Sequence, residues 1–233
     1  MGADGTPTEQ VDRAAEAQVL AVTEAAQADW NILSEEAGAI DRGGSRTLVV
    51  DPVDGSHNAL RGIPAATVSL ALGRGTLGGI ELGVIHDLSS GATYWAARGE
   101  GAFRNGHRIH TRPWDARREM FFLNLGRHST PRVVAWSAKG RRVRSLGCAS
   151  LEMALVAEGG ADAYVFENDT EARNLRVTDI AGAYRILLEA GGGVTDATSQ
   201  SIDDLPLDLA HHTSLFAYAD PSFPQAAKER GYW

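Results

Sequence analysis

The first half of the chain combines one long helical pattern with several short apolar runs. Residues 8–28 carry apolar side chains at helical spacing among strong helix formers, which predicts an amphipathic helix with Thr8 as its N-cap. Apolar runs at residues 31–33, 47–50, 66–72, 79–86 and 91–97 predict strands, the last being the return strand of a hairpin. This half is therefore predicted to contain a helix followed mainly by antiparallel strands.

After about residue 115 the pattern changes to alternating strand and helix. Apolar runs at residues 120–125, 132–136, 162–166 and 214–218 predict strands, whereas residues 149–159 and 180–190 predict helices followed by glycines suited to C-caps. The order predicts a mixed α/β architecture, an α+β arrangement of layered helices and sheets. We predict a single domain over residues 1–233, subdivided into an N-terminal half (residues 1–115) and a C-terminal half (residues 116–233).

Composition and charge narrow the class of protein. The chain is 43% hydrophobic and 22% charged, as in globular proteins, and no apolar run approaches the ~20 residues of a membrane helix. A net charge of −8 argues against a nucleic-acid partner and means that an anionic substrate would need metal ions to offset the charge. The single cysteine, Cys148, excludes an intramolecular disulfide. These features, with a polar start that predicts no signal peptide, favour a cytoplasmic protein with no membrane partner.

The candidate chemistry is concentrated at residues 51–56, Asp-Pro-Val-Asp-Gly-Ser. Asp51 stands where a predicted buried strand ends, and Asp54 follows three residues later, so that both carboxylates can address one cation. Gly55 and Ser56 can present backbone N–H groups to an anion. Carboxylates and amides in one loop suit a hard metal ion together with a phosphate group.

Two further acids can complete this set. Glu35 follows an apolar run, and Asp179 opens a predicted helix. Considered separately, Glu35 fits a surface charge, Asp179 fits a helix cap, and the pair Asp51 and Asp54 fits an ordinary turn. Their combination is what predicts a metal site.

The succession of motifs resembles the inositol monophosphatase and fructose-1,6-bisphosphatase family. The resemblance is carried by Ser-Glu-Glu at residues 34–36, by Asp-Pro-Val-Asp-Gly-Ser, and by Asp179 with its small-residue helix ending in Glu-Ala-Gly-Gly. Segments 99–106 and 156–164 also match, and residues 2–8 and 175–181 are similar to the archaeal type with both activities. The motifs occur in the family's order over nearly the whole chain.

The resemblance implies a five-layered α-β-α-β-α sandwich, a homodimer and a magnesium-dependent phosphomonoesterase. It implies two or three Mg²⁺ ions, whose ligands are Glu35, Asp51, the carbonyl of Val53, Asp54 and Asp179. Asp12 and Ser56 match the family's water-activating pair, and Asp54 completes the implied catalytic set. Without the resemblance, Asp12 would be read as a solvated acid in the first turn of a helix.

The implied substrate contacts are less closely tied to motifs. They comprise Asp54, the amides of Gly55 and Ser56, Arg144, Ala149 and Arg173. An arginine can bind a second phosphate bidentately, although either arginine is equally compatible with a surface position. Cys148 is predicted to be a small packed residue rather than a nucleophile.

The implied substrates are inositol-1-phosphate, fructose-1,6-bisphosphate or both. Two alternatives remain: a nucleotide phosphatase acting on 3′-phosphoadenosine 5′-phosphate or NADP, and a catalytically silent sugar-phosphate sensor. The sensor would have lost a ligand or the water-activating pair, and all of these residues are present.

The chain departs from the family pattern in three places. It starts at the motif that usually follows a first helix, and Thr178 replaces a tryptophan. A longer polar stretch at residues 167–173 forms either a pocket rim or a solvated loop.

Overall fold

The structure, a computed structural model, describes residues 10–232. The predicted N-cap at Thr8 and the archaeal-type motif at residues 2–8 lie outside the described residues. The first sheet has eight strands in the spatial order β2-β1-β3-β4-β5-β6-β7-β8. Its strands are β1 (Asn31–Ser34), β2 (Gly38–Ile40), β3 (Thr47–Asp54), β4 (Thr67–Gly73), β5 (Ile80–Asp87), β6 (Thr93–Ala97), β7 (Gly101–Arg104) and β8 (His107–Ile109). Only β1 and β3 pair in parallel; the other neighbours are antiparallel, as the pattern predicts.

The second sheet has five strands in the spatial order β10-β9-β11-β13-β12. Its strands are β9 (Phe121–Leu123), β10 (Val143–Arg144), β11 (Ala163–Phe166), β12 (Gly193–Thr195) and β13 (Leu215–Tyr218). Strand β9 is parallel to both of its neighbours, whereas β13 is antiparallel to β11 and β12. The predicted division at about residue 115 falls between β8 and β9; that the halves make one domain stays a prediction.

Six α-helices are described between residues 10 and 232. They are α1 (Gln10–Ala25), α2 (Ser56–Leu60), α3 (Pro131–Lys139), α4 (Ala149–Ala157), α5 (Val177–Ala190) and α6 (Phe223–Glu229). None of these helices has the length and apolarity needed to cross a membrane.

The alternation of side chains along the strands explains the layering. In β9, Phe121 and Leu123 pack with the side chains of α3 and α6, while Phe122 between them faces the opposite cluster, which contains α4 and α5. In β3, Val49 faces that same central cluster, while its neighbours Leu48 and Val50 pack towards α1. Because adjacent residues of a strand point to opposite faces, each sheet separates two helical layers. The predicted five-layered α-β-α-β-α sandwich is confirmed.

Helix α5 lies between the sheets and approaches the first one closely. It contacts β4 and β5, although it belongs to the second half of the sequence. A Cβ atom on Gly83 would lie 2.2 Å from the carbonyl oxygen of Gly182, and one on Gly182 would lie 2.9 Å from the carbonyl oxygen of Leu70. The absence of side chains at both positions therefore allows the helix to approach the strands.

The strand predicted at residues 132–136 is wrong, because this segment belongs to α3. Thr130 caps the helix by accepting a hydrogen bond from the backbone N–H of Val133, and Pro131 occupies the first turn, where a missing N–H costs nothing. Val133 and Trp136 are both fully buried and lie three residues apart on one helix face, whereas Val134 is 50% exposed. The apolar run is therefore one face of a helix, and the Thr-Pro pair is the start signal that the prediction overlooked.

Candidate active site

A β-bulge in β3 brings Asp51 and Asp54 to one side of the sheet. Asp51 pairs with Ser69 in β4 and Asp54 pairs with Thr67. An interval of three residues in β3 therefore lies opposite an interval of two residues in β4. In a regular strand, residues three apart would point to opposite faces, and the extra residue of a bulge corrects this. Pro52, which has no backbone N–H to pair, lies within the irregularity. The Asp-Pro-Val-Asp sequence thus directs both carboxylates into one pocket.

The pocket is lined by residues from four separate segments of the chain. It has a volume of about 120 Å³ and receives residues from α1, from the turn after β1, from the continuous segment that joins β3 to α2, and from the first turn of α5. Its lining residues are Asp12, Glu35, Glu36, Asp51, Val53, Asp54, Gly55, Ser56 and Asp179. The structure therefore brings together every residue predicted as a metal ligand and the predicted pair Asp12 and Ser56. Glu36, which was considered only as part of a motif, also lines the pocket.

Three of the acids are close enough to share one cation. Glu35, Asp51 and Asp179 each place a carboxylate oxygen within 4.8 Å of the others. Asp51 is 2% exposed, and its Oδ1 atom has no hydrogen-bond partner among residues 10–232. A buried carboxylate oxygen without a donor is costly unless a cation occupies the adjacent space. Several hard oxygen donors around one point match the coordination preferences of Mg²⁺.

Asp179 has two roles at this position. It is the third residue of α5, and its carboxylate accepts a hydrogen bond of 2.8 Å from the backbone N–H of Arg176. The helix cap considered from the sequence is therefore present. The cap also fixes the carboxylate in the orientation that places it beside Glu35 and Asp51, so capping and cluster formation are compatible.

Burial and mutual repulsion raise the pKa values of the acids. Burial raises the pKa of Asp51 well above its usual value, and the negative charges of Glu35, Asp54 and Asp179 raise it further. Burial likewise raises the pKa of Asp179 to about 7, although the N–H of Arg176 opposes the shift. Desolvation raises the pKa of Asp54, against hydrogen bonds from Ser150. The cluster therefore resists full ionisation unless a positive charge is bound.

This charge arrangement predicts an unusual pH dependence of stability. Because the folded-state pKa of Asp179 is raised from 3.8 to about 7, the folded protein retains a proton that the unfolded chain releases. We expect the free energy of unfolding in EDTA to fall by about 2 kcal/mol between about pH 5 and about pH 8. Saturating Mg²⁺ should remove most of this loss, which urea unfolding at both pH values would measure.

The informative quantity is the difference between the stabilities in Mg²⁺ and in EDTA. This difference should grow as the pH rises. Groups outside the cluster titrate equally in Mg²⁺ and in EDTA, so their contributions to the two stabilities cancel. Asp179→Asn, which removes one titrating carboxyl, should reduce the growth. An equal effect of Mg²⁺ at both pH values would contradict the expected charge coupling.

Asp54 is held by donors from the start of α4. Its Oδ2 atom accepts hydrogen bonds from the backbone N–H of Ser150 at 2.7 Å, from the Ser150 hydroxyl at 2.6 Å and from the Cys148 thiol at 3.3 Å. The Cys148 side chain is fully buried, and burial raises the pKa of its thiol far above the usual value, which fits the predicted packed residue. Ser150 was missed because its hydroxyl has no motif of its own.

Gly55 joins β3 to α2 in a conformation that favours glycine. Its φ angle is +83°, and a Cβ atom would lie 2.6 Å from the carbonyl oxygen of Ala65. The turn lets Ser56 begin α2 at the pocket. Asn58, another residue missed from the sequence, donates side-chain hydrogen bonds to the carbonyl oxygens of Ala65 at 2.9 Å and Leu146 at 2.7 Å. The short helix is thereby fastened to the second half of the chain.

The three remaining predicted substrate contacts do not line the pocket. Arg144 is exposed and donates a hydrogen bond to the carbonyl oxygen of Val143. Arg173 is 48% exposed and forms an ion pair of 3.0 Å with Asp169 in the polar stretch at residues 167–173. Ala149 is buried at the start of α4, immediately before Ser150. Their roles as substrate contacts stay predictions.

A cluster of acids around the buried Asp51, within a five-layered sandwich, is the arrangement expected of a metal-dependent sugar phosphatase. Residues 2–230 match the model of the inositol monophosphatase family, and the chain belongs to this family. It is 36% identical to a "Fructose-1,6-bisphosphatase/inositol-1-monophosphatase" from Methanothermobacter thermautotrophicus, over 93% of this chain and 80% of the relative. The solved structure of the Thermotoga maritima IMPase superposes with a TM-score of 0.81 at 27% identity, covering 97% of this chain and 84% of that protein.

A relative with a different substrate is also similar. The chain is 31% identical to a "Bifunctional NADP phosphatase/NAD kinase" from Methanococcus maripaludis, over 92% of this chain and 41% of the relative. The nucleotide-phosphate alternative considered from the sequence thus has a counterpart within the family.

Proposed function

We propose that the protein is a Mg²⁺-dependent phosphomonoesterase that hydrolyses inositol-1-phosphate, fructose-1,6-bisphosphate or both. The observation that carries the proposal is the convergence of Glu35, Asp51 and Asp179, with an unpartnered Asp51 oxygen among the described residues. Several carboxylates that face one point in a pocket favour metal-dependent chemistry there. The relatives with matching names support the substrate class.

The residues that would hold two or three Mg²⁺ ions are Glu35, Asp51, the carbonyl of Val53, Asp54 and Asp179, all of which line the pocket. When bound, Mg²⁺ ions lower the pKa of water and stabilise the charge that develops on the phosphate and the leaving oxygen. The acids resist ionisation without a counter-charge, so cation binding and deprotonation of the cluster are coupled. This coupling accounts for the tolerance of so many acids in one pocket.

Asp12 and Ser56 are assigned to the attacking water. Helix α1 carries Asp12, whose side chain is only 5% exposed, into the pocket that Ser56 also lines. A carboxylate acting through a hydroxyl can accept or orient a proton of water as it attacks phosphorus, a contribution of roughly 10²–10⁴-fold. The burial of Asp12 favours this role over that of a solvated helix acid.

The backbone N–H groups of Gly55 and Ser56 are assigned to the phosphate. The left-handed conformation of Gly55 turns the chain sharply from β3 into α2, beside the acids. Backbone donors at such a turn suit a phosphate oxygen and add no side-chain charge to the pocket. In this assignment the phosphate would lie beside Asp12 and Ser56, the residues assigned to the attacking water.

The test is phosphate release from inositol-1-phosphate, fructose-1,6-bisphosphate and NADP, each with Mg²⁺ and with EDTA. Turnover of either sugar ester that EDTA abolishes and Mg²⁺ restores is the expected result, and the ratio of the two kcat/KM values identifies the preferred ester. Preferential turnover of NADP would instead support the nucleotide phosphatase. Cation binding without turnover of any ester would support the silent sensor.

Two further properties remain predictions from the sequence. We expect a homodimer, which light scattering after gel filtration would detect, and a cytoplasmic location. Arg144 and Arg173 stay candidate contacts for the second phosphate of fructose-1,6-bisphosphate, since both guanidinium groups are accessible to solvent.

A further inference from the structure

We propose that Ser150 and Thr67 are positioning residues, which form a hydroxyl chain that fixes Asp54 for cation binding. The proposal deepens the proposed function, because it concerns how the same pocket holds its metal. It names two residues that lie outside the pocket lining and belong to none of the motifs discussed above.

The hydrogen bonds of Asp54 are concentrated on one of its oxygens. The backbone N–H and hydroxyl of Ser150, at 2.7 and 2.6 Å, and the thiol of Cys148, at 3.3 Å, all approach Oδ2. Three donors therefore occupy Oδ2, and we assign Oδ1 to the cation. The arrangement favours binding through a single oxygen and disfavours rotation of the carboxylate.

The direction of the hydroxyl chain follows from the acceptors. An ionised carboxylate can only accept, so the Ser150 hydroxyl donates to Asp54. The oxygen of Ser150 is then available to accept a hydrogen bond from the Thr67 hydroxyl, which lies 2.6 Å away. Each hydrogen bond polarises the next, so Thr67 strengthens the donor that acts on Asp54.

The chain also links elements that lie far apart in the sequence. Thr67 begins β4 and pairs with Asp54 across the bulge, while Ser150 lies in the first turn of α4. Both hydroxyl residues are fully buried at 0% exposure, which removes competition from water. The bulge that turns Asp54 into the pocket is therefore secured from both halves of the chain.

The test is calorimetric titration of the chelator-treated protein with Mg²⁺, in the absence of substrate. We expect Ser150→Ala to weaken cation binding about 10- to 100-fold, as is usual when an outer partner of a ligand is removed. Thr67→Val, which keeps the shape and removes the hydroxyl, should weaken binding several-fold, while Thr67→Ser should restore it to within about twofold. Ser137→Ala, at a half-buried serine of α3 outside the pocket lining, is the control for hydroxyl loss.

Kinetics provide a second readout that a merely structural role would not change. The Mg²⁺ concentration at half-maximal rate should rise in Ser150→Ala and Thr67→Val, while kcat at saturating Mg²⁺ stays within about threefold of wild type. Unchanged Mg²⁺ affinity in both variants, with native melting curves, would overturn the proposal. If Ser150→Ala did not fold, equal affinities of Thr67→Val and Thr67→Ser would overturn it instead. Because the titration needs no turnover, it distinguishes failure of this inference from failure of the phosphatase assignment.

Discussion

Asp51→Asn is expected to lower kcat/KM by about 10³-fold or more and, in EDTA, to make the protein more stable than wild type. The loss of activity follows because Asp51 lies within 4.8 Å of both Glu35 and Asp179 and provides an oxygen with no hydrogen-bond partner among residues 10–232. The gain in stability follows because the substitution removes a buried acid that its neighbours repel. Phosphate release and thermal unfolding, each with Mg²⁺ and with EDTA, would measure both effects.

The opposite signs make this prediction specific to a metal site. Substitution of a residue that served only the fold would lower the stability and the activity of the protein together. Asp29→Asn, which removes an exposed carboxylate outside the pocket, is the matched control and should leave both quantities near those of wild type. If Asp51→Asn destabilised the metal-free protein, the repulsion assigned to this cluster would be wrong.

Gly55→Ala is expected to reduce both stability and activity. A residue with a side chain at φ +83° is strained, and its Cβ atom would lie 2.6 Å from the Ala65 carbonyl oxygen and 3.3 Å from the Cβ of Cys148. Strain and steric conflict together should cost about 2–4 kcal/mol, and displacement of Ser56 should lower kcat about 10²-fold. Urea unfolding and phosphate release at saturating Mg²⁺ would measure the two losses.

Gly62 provides the control for backbone strain alone. Its φ angle is +68°, and a Cβ atom there would meet no atom within 4 Å. Gly62→Ala should therefore cost about 1 kcal/mol and leave kcat unchanged. Equal effects of the two substitutions would show that the close approach at Gly55 does not matter for the site.

The identity of the pocket acids was predictable from the sequence because the motifs place them at the ends of recognisable strands. Asp51 follows a continuous apolar run, which is a strong signal for a buried strand. The strand was predicted over residues 47–50, with Asp51 and Asp54 compatible with an ordinary turn after it, whereas β3 continues through Asp54 with a bulge. Spacing alone cannot distinguish these two ways of bringing residues three apart together.

The errors and omissions concern signals that are weak or distant in sequence. Residues 132–136 have the composition of a strand, and the start of α3 depends on Thr130 and Pro131 outside that run. Ser150 and Asn58 act through partners that are 96 and 88 residues away, respectively. Such pairings depend on how the two sheets pack around α4 and α5, which hydrophobic periodicity does not specify.

The two glycines between α5 and the first sheet have a consequence for the choice of cation. Gly83 and Gly182 set how deeply α5 sits against β4 and β5, and Asp179 is carried by the first turn of the same helix. Mg²⁺ requires ligands at about 2.0–2.1 Å, whereas Ca²⁺ accepts about 2.3–2.6 Å and a looser shell. We therefore expect backbone packing one helical turn from Asp179 to influence which ionic radius the cluster accepts, so that discrimination between cations would depend on residues that never touch the ion.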